Sequence, residues 1–152
     1  MDEGIGRVVE ALKDADLYDN SLIVFSTDNG GAAGGANYPL KGNMIVNIIS
    51  NDDISPGNKE MLYEGGVRGI SFVHSPVFKQ TGHEYSGLVY ITDWFRTSLH
   101  LAGLSHRVPD NVDSYDLWPS LTSGARKSGE REEIILNIDQ DNRHNTWSAA
   151  LM

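Results

Sequence analysis

The chain contains no cysteine. Disulfide bridges and thiolate metal sites are therefore excluded, and the redox compartment is left open. Basic residues are scarce, with 12 Lys and Arg against 21 Asp and Glu for a net charge of -9. Phosphate contacts need clustered Lys and Arg, so this balance argues against nucleic acid as a partner. No run approaches the roughly 18 apolar residues of a membrane span. The opening MDEGIGRVVEALK has no apolar core of the secretory type, and the chain has no Asn-x-Ser/Thr acceptor. What is present is ordinary for a globular protein: 152 residues, 39% hydrophobic and 22% charged. A folded chain of this length fits one domain and buries roughly 68 to 70% of its unfolded surface. The acidic balance sits awkwardly with an anionic substrate, but a bound cation can dominate the charge of its surroundings.

The segment Ser21 to Gly31, SLIVFSTDNGG, carries the most chemistry. Leu22, Ile23, Val24 and Phe25 form a continuous β-prone apolar run, the pattern of a central strand covered on both faces. Asp28 and Asn29 follow where that strand should stop. Ligands of open α/β sheets gather beyond the carboxyl ends of strands, so a carboxylate and an amide oxygen placed there can reach a hard cation. Gly30 and Gly31 allow a sharp turn. Taken alone, the same residues fit an ordinary strand-to-loop turn, because Asp, Asn and Gly dominate turns.

Along the rest of the chain, Ile5, Val8, Val9 and Leu12 share one face of an expected helix from Met1 to about Ala15, with Asp2 as a candidate cap. Strands are expected at Ile70 to His74 and Glu133 to Ile138, and Leu88 to Ile91 is a further short apolar run. Thr92 and Asp93 supply helix-start chemistry for a helix through Leu99 and Ala102 that stops near Gly103, and Asp93 reads as a cap rather than a ligand. Pro119 to Thr122 reads as a short helical turn. Strands alternating with helices indicate an α/β sandwich with a largely parallel central sheet. The five histidines have no metal-like spacing, and Trp94, Trp118 and Trp147 read as packing residues, the last near the rim of the expected pocket.

Several motifs then occur in a fixed order: FSTDNGG, Tyr38-Pro39-Leu40-Lys41-Gly42, Lys59, Glu64-Gly65-Gly66-Val67-Arg68-Gly69 and Thr92-Asp93-Trp94. This order resembles the sulfatases, most closely their arylsulfatase B-like branch, over nearly the whole chain. The resemblance implies an alkaline-phosphatase-like fold, of which residues 1–152 would be the C-terminal part of the catalytic domain, incomplete and cut at both ends. It implies hydrolysis of sulfate esters of aryl groups or sulfated glycans, such as N-acetylgalactosamine 4-sulfate, in a lysosomal or secreted setting, with no membrane span. It makes Asp28 and Asn29 ligands of a calcium ion and makes Lys59 the catalytic contact to the sulfate group. Without the resemblance, Lys59 reads as a solvated loop lysine. Arg68 becomes an organising residue beside the site.

The departures from the family pattern are equally specific. Sulfatases attack sulfur with a formylglycine made within a Cys-x-Pro-Ser-Arg type motif, and neither this motif nor its serine form occurs here. The family's N-terminal aspartate pair, which completes the metal site, is likewise absent, so this chain alone is expected to be inactive. Arg96 replaces a family proline and is expected to loosen the helix start. Two other readings remain: a non-catalytic sulfatase relative or mispredicted gene fragment, and a phosphodiesterase of the same superfamily. The Asp28-Asn29 pair with EGGVRG speaks against the phosphodiesterase.

Between Gly42 and Asn58, residues 43–57 form an insertion that the family lacks. It is either a lineage-specific loop over the pocket or a translated intron, and the second is favoured. Transcript sequencing is expected to join Gly42 directly to Asn58; reads spanning the insertion would overturn that expectation.

Overall fold

Helix α1 spans Asp2–Asp14, with Ile5, Val9 and Leu12 half-buried along one face while Val8 is exposed. Asp2 does not cap it. Met1 occupies the cap position without a side-chain bond, and Asp2 lies inside the first turn with Glu3, where negative charge complements the helix N-terminus. The computed structural model describes residues 1–30, 64–124, 130–141 and 146–151. The insertion at 43–57 and Lys59 lie outside these described residues. By internal contacts the chain divides into two compact units, Met1–Pro76 with Leu136–Ala150, and Val77–Ile135 with Leu151–Met152.

In the first unit, a 3-10 turn at Tyr18–Asn20 leads from α1 into strand β1, Ile23–Ser26. A short helix α2, Glu64–Val67, precedes strand β2, Ser71–His74. The two strands pair antiparallel, Ile23 opposite His74 and Ser26 opposite Ser71. Phe25 and Phe72, directly opposed, stack with ring centroids 5.1 Å apart, a cross-strand pair that fixes register because a one-residue slip would turn one ring to the other face. Two polar contacts tie the ends of the pair. Tyr18 Oη lies 2.7 Å from His74 Nε2, and Ser75 Oγ donates to the Ser21 carbonyl at 2.6 Å.

Among the described residues the expected covering of β1 on both faces is not observed: Val24 is 39% exposed, while Ile23 and Phe25 on the other face are half-buried. The expected parallel pairing is not seen between β1 and β2 either. A second two-stranded sheet joins β3, Ile135–Asp141, to β4, Thr146–Leu151. Strand β3 starts two residues later than the expected Glu133, after the buried Ile134.

The second unit is organised by polar groups. Among its described residues the buried hydrophobic side chains are Leu117 and Ile134, whereas Asp93, Thr97, Ser114, Ser120, Glu130 and Arg131 are all buried. Helix α3 spans Asp93–Leu101 and ends at Gly103, whose φ of +70° suits glycine. Helix α4, Trp118–Ser123, carries Pro119 in its first turn and ends at Gly124 with φ +64°. The Trp118 ring packs on Phe78 with centroids 5.2 Å apart.

Asp93 is a correction to the sequence reading. The cap position falls to Thr92, and Asp93 is a carboxylate with 0% exposure that accepts hydrogen bonds from the backbone N–H groups of Tyr90 at 2.8 Å and Tyr115 at 2.9 Å. Arg131 donates to both of its oxygens, with Nη2 to Oδ1 at 2.9 Å and Nε to Oδ2 at 3.1 Å, and a further Nη2 bond reaches Asp113 Oδ1 at 2.8 Å. The guanidinium also lies over the rings of Tyr115 and Tyr90, 4.7 and 5.3 Å from their centroids. The hydrogen bonding to Asp93 raises the Arg131 pKa above its already high ordinary value, against the lowering effect of burial.

The same network explains two further features. The apolar run Leu88–Ile91 forms no strand, because the Tyr90 N–H is taken by the Asp93 carboxylate and the Tyr90 carbonyl by the Asp93 N–H at 2.9 Å. Those groups close a turn and cannot join a ladder. Arg96 does not loosen the start of α3. Its backbone N–H donates to Ser114 Oγ at 3.0 Å and its Nε to the Ser114 carbonyl at 2.8 Å. A proline there could make neither bond. Thr97 Oγ1 completes the lacing, donating to the Asp93 carbonyl at 2.8 Å and accepting from the Leu117 N–H at 2.9 Å.

Removing one partner of a buried pair strands the other charge, so Asp93→Ala is expected to destabilise the second unit by about 3–5 kcal/mol. The double replacement Asp93→Leu with Arg131→Met should recover only part of that loss, because it removes the stranded charge but leaves the Tyr90 and Tyr115 N–H groups without the Asp93 acceptor. Urea unfolding followed by tryptophan fluorescence checks both.

Candidate metal centre

The site is built at the end where β1 finishes and β2 begins. Because the strands are antiparallel with Ser26 opposite Ser71, the residues that follow β1 and those that precede β2 leave the sheet at the same end. Thr27 continues the pairing for one step: its N–H donates to the Ile70 carbonyl at 3.0 Å, and its Oγ1 accepts from the Ile70 N–H at 2.9 Å. The backbone at Gly69 presses so close to Thr27 that a Cβ there would lie 2.7 Å from Thr27 Oγ1 and 3.1 Å from the Thr27 carbonyl oxygen. Only glycine fits without displacement. This gives the last glycine of EGGVRG a steric reason.

Beyond Thr27, the chain carries Asp28, Asn29 and Gly30 against α2. The Gly30 N–H donates to the Gly66 carbonyl at 2.8 Å, and Gly30, Gly65 and Gly66 are buried. The two motifs that the sequence analysis linked by order are therefore joined by a hydrogen bond. Asn29 donates its backbone N–H to Asp28 Oδ1 at 3.0 Å and its Nδ2 to the Gly30 carbonyl at 2.6 Å. Among the described residues, no hydrogen bond engages Asp28 Oδ2 or Asn29 Oδ1. The first belongs to an exposed side chain and the second to a half-buried one.

Two neighbouring oxygen donors of this kind suit a hard cation, but such an ion takes six to eight. The fit is that of part of a site. Among the described residues no group of three or more His, Asp or Glu side chains has the geometry to hold a metal ion. Arg68 is exposed, and its Nη1 reaches Glu64 Oε2 at 3.1 Å one turn back along α2, with the backbone bond Arg68 N–H to Glu64 carbonyl at 2.9 Å alongside. An exposed pair of this type stabilises a turn by little. Lys59 lies outside the described residues.

The sequence profile of the family described as Sulfatase matches residues 1–104. The chain belongs to the sulfatase family. It is 37% identical to mouse arylsulfatase J over 154 aligned positions, covering 98% of this chain and 23% of that protein. It is 34% identical to human N-acetylgalactosamine-6-sulfatase, covering 82% of this chain and 22% of that protein. The chain thus spans less than a quarter of the length of these relatives. Among solved structures, the crystal structure of Ps i-CgsB matches with a TM-score of 0.66 at 32% identity, covering 90% of this chain and 28% of that one. The same protein in complex with k-i-k-neocarrahexaose matches with a TM-score of 0.63 at 33% identity, covering 82% of this chain and 25% of that one. The mixed helix and strand content agrees with the α/β fold of the family.

Asp93 and Arg131 were not read as partners in the sequence. They lie 38 residues apart, and Arg131 sits in the charged run Glu130-Arg131-Glu132-Glu133, which looks like solvated surface. The family profile stops before Arg131, while the alignment to arylsulfatase J takes in nearly the whole chain.

The tight junction at Gly69 makes a direct test of how the two motifs are held. Gly69→Ala is expected to cost about 1–3 kcal/mol through overpacking against Thr27. A lower urea midpoint with unchanged slope would be the readout.

Proposed function

We propose that this chain is the part of a calcium-dependent sulfuric ester hydrolase that supplies two metal ligands, Asp28 and Asn29, and one sulfate contact, Lys59. The observation that carries the reading is the DNG loop held against the EGGV turn, with one carboxylate oxygen and one amide oxygen left without hydrogen bonds among the described residues. Asp28 offers a full negative charge to the cation and Asn29 a neutral oxygen, and the remaining ligands lie outside this chain. When bound, the cation supplies positive charge against the anionic sulfate group. Lys59 would add a second positive charge, offsetting the charge that develops on the sulfate oxygens. Without a formylglycine precursor, the chain by itself is inert.

A sulfated glycan is the favoured substrate class, supported by a relative named N-acetylgalactosamine-6-sulfatase and by a matching structure that holds k-i-k-neocarrahexaose. The specific proposal, N-acetylgalactosamine 4-sulfate, rests on the resemblance to the arylsulfatase B-like branch alone. A lysosomal or secreted setting goes with the same reading, supported by membership of the sulfatase family. The competing reading, a non-catalytic sulfatase relative, draws on the absence of Cys-x-Pro-Ser-Arg from these 152 residues. An upstream open frame encoding that motif would remove it.

In a protein completed upstream with the formylglycine motif, Asp28→Ala is expected to weaken calcium binding measured by titration calorimetry. Equal affinity would remove Asp28 from the metal site. Lys59→Ala should leave calcium affinity in place and lower turnover of a sulfate ester by about 10² to 10³, the usual effect of losing one preorganised charge-stabilising group.

A further inference from the structure

Asn29 is the only asparagine in the chain that is followed by glycine. An Asn-Gly pair is the peptide most open to self-modification, because glycine has no side chain to hinder its backbone nitrogen. That nitrogen can attack the asparagine side-chain carbonyl carbon. The Gly30 N–Asn29 Cγ bond forms as the Cγ–Nδ2 bond breaks. The Gly30 amide gives up its proton, the departing nitrogen takes up a proton to leave as ammonia, and a five-membered succinimide remains. Water then opens the ring at either carbonyl to give aspartate or isoaspartate. No oxidant or partner enzyme is needed.

Both reacting groups are tied down in the folded chain. The nucleophile, the Gly30 N–H, is buried and donates to the Gly66 carbonyl at 2.8 Å. The electrophile is held by its own amide, since Asn29 Nδ2 donates to the Gly30 carbonyl at 2.6 Å. Attack therefore requires the Gly30–Gly66 bond to open and the Asn29 side chain to turn. Asn29 is only half-buried, so water can reach the ring once it forms.

We propose that Asn29 is a latent deamidation site kept silent by docking of the DNG loop on the EGGV turn, so that opening of that junction commits the loop to a lasting chemical change. The product carries one more negative charge beside Asp28. In its isoaspartyl form it also carries an extra backbone methylene between Asp28 and Gly30, which the Gly30–Gly66 bond cannot accommodate without shifting the loop. The junction would then fail to close again. The proposal concerns a modification and stands whether or not Asn29 holds a cation.

The test compares the intact chain incubated in native buffer at mildly alkaline pH with the same chain in urea, reading the amide-to-acid mass gain on the peptide that contains Asn29 and isoaspartate by enzymatic methylation. The native rate should be slower than the unfolded rate by about tenfold or more, as local protection of the amide requires. Hydrogen exchange at the Gly30 amide should show protection of matching size. Gly69→Ala, which pushes Thr27 out of place, should speed modification in native buffer, and the exchange measurement keeps the test decisive should that variant not fold. Gly30→Val in urea should remove most of the mass gain. Equal native and unfolded rates, an unprotected Gly30 amide, or a mass gain that survives Gly30→Val in urea would each overturn the proposal.

Discussion

The antiparallel register of β1 and β2 is the constraint on which the candidate site depends. With Phe25 stacked on Phe72 and Ser26 opposite Ser71, two segments separated by more than thirty residues of chain leave the sheet side by side. Slipping the pairing by one residue would turn Phe25 away from Phe72 and carry Thr27 off Ile70. The Asp28–Gly30 loop would then lose its seat on Gly66. The glycines of the second motif serve this arrangement in different ways: Gly66 offers its carbonyl to Gly30, and Gly69 leaves the space that Thr27 fills.

A different physical logic governs the second unit. There the Asp93 carboxylate gathers the backbone of Tyr90 and Tyr115 and the guanidinium of Arg131, while Ser114 and Thr97 stitch α3 to the segment before α4. Glu130, next to Arg131, is buried too and pairs with the hydroxyls of Ser120 and Tyr85. Consecutive residues of opposite charge are thus sealed by separate sets of partners. Arg131 is ion-paired and Glu130 is hydrogen-bonded by hydroxyls, and such partners are the condition under which burial of these groups is tolerated.

Local pattern made much of this legible in the sequence. The apolar period of α1, the β-prone runs of β1 and β2, Pro119 in the first turn of α4 and the glycine stop after α3 all act over a few residues, and the corresponding elements form. What escaped was set by partners distant in the chain. Leu88 to Ile91 has strand composition, yet the Tyr90 backbone is spent on Asp93. Asp93 has the position of a cap, yet an arginine 38 residues later draws it inward. The candidate ligands Asp28 and Asn29 were legible as residue types, whereas their seating on Gly66 needed the fold.

The polar interior of the second unit also bears on its response to temperature. The heat capacity of unfolding grows with the apolar surface uncovered and falls with the polar surface uncovered. A unit that fully seals few methyl groups and many hydroxyl, carboxylate and guanidinium groups has a small increment for its size. Its free energy of unfolding then follows a broad, shallow curve, so cooling weakens it little. On warming, it depends on whether its directed bonds hold their geometry.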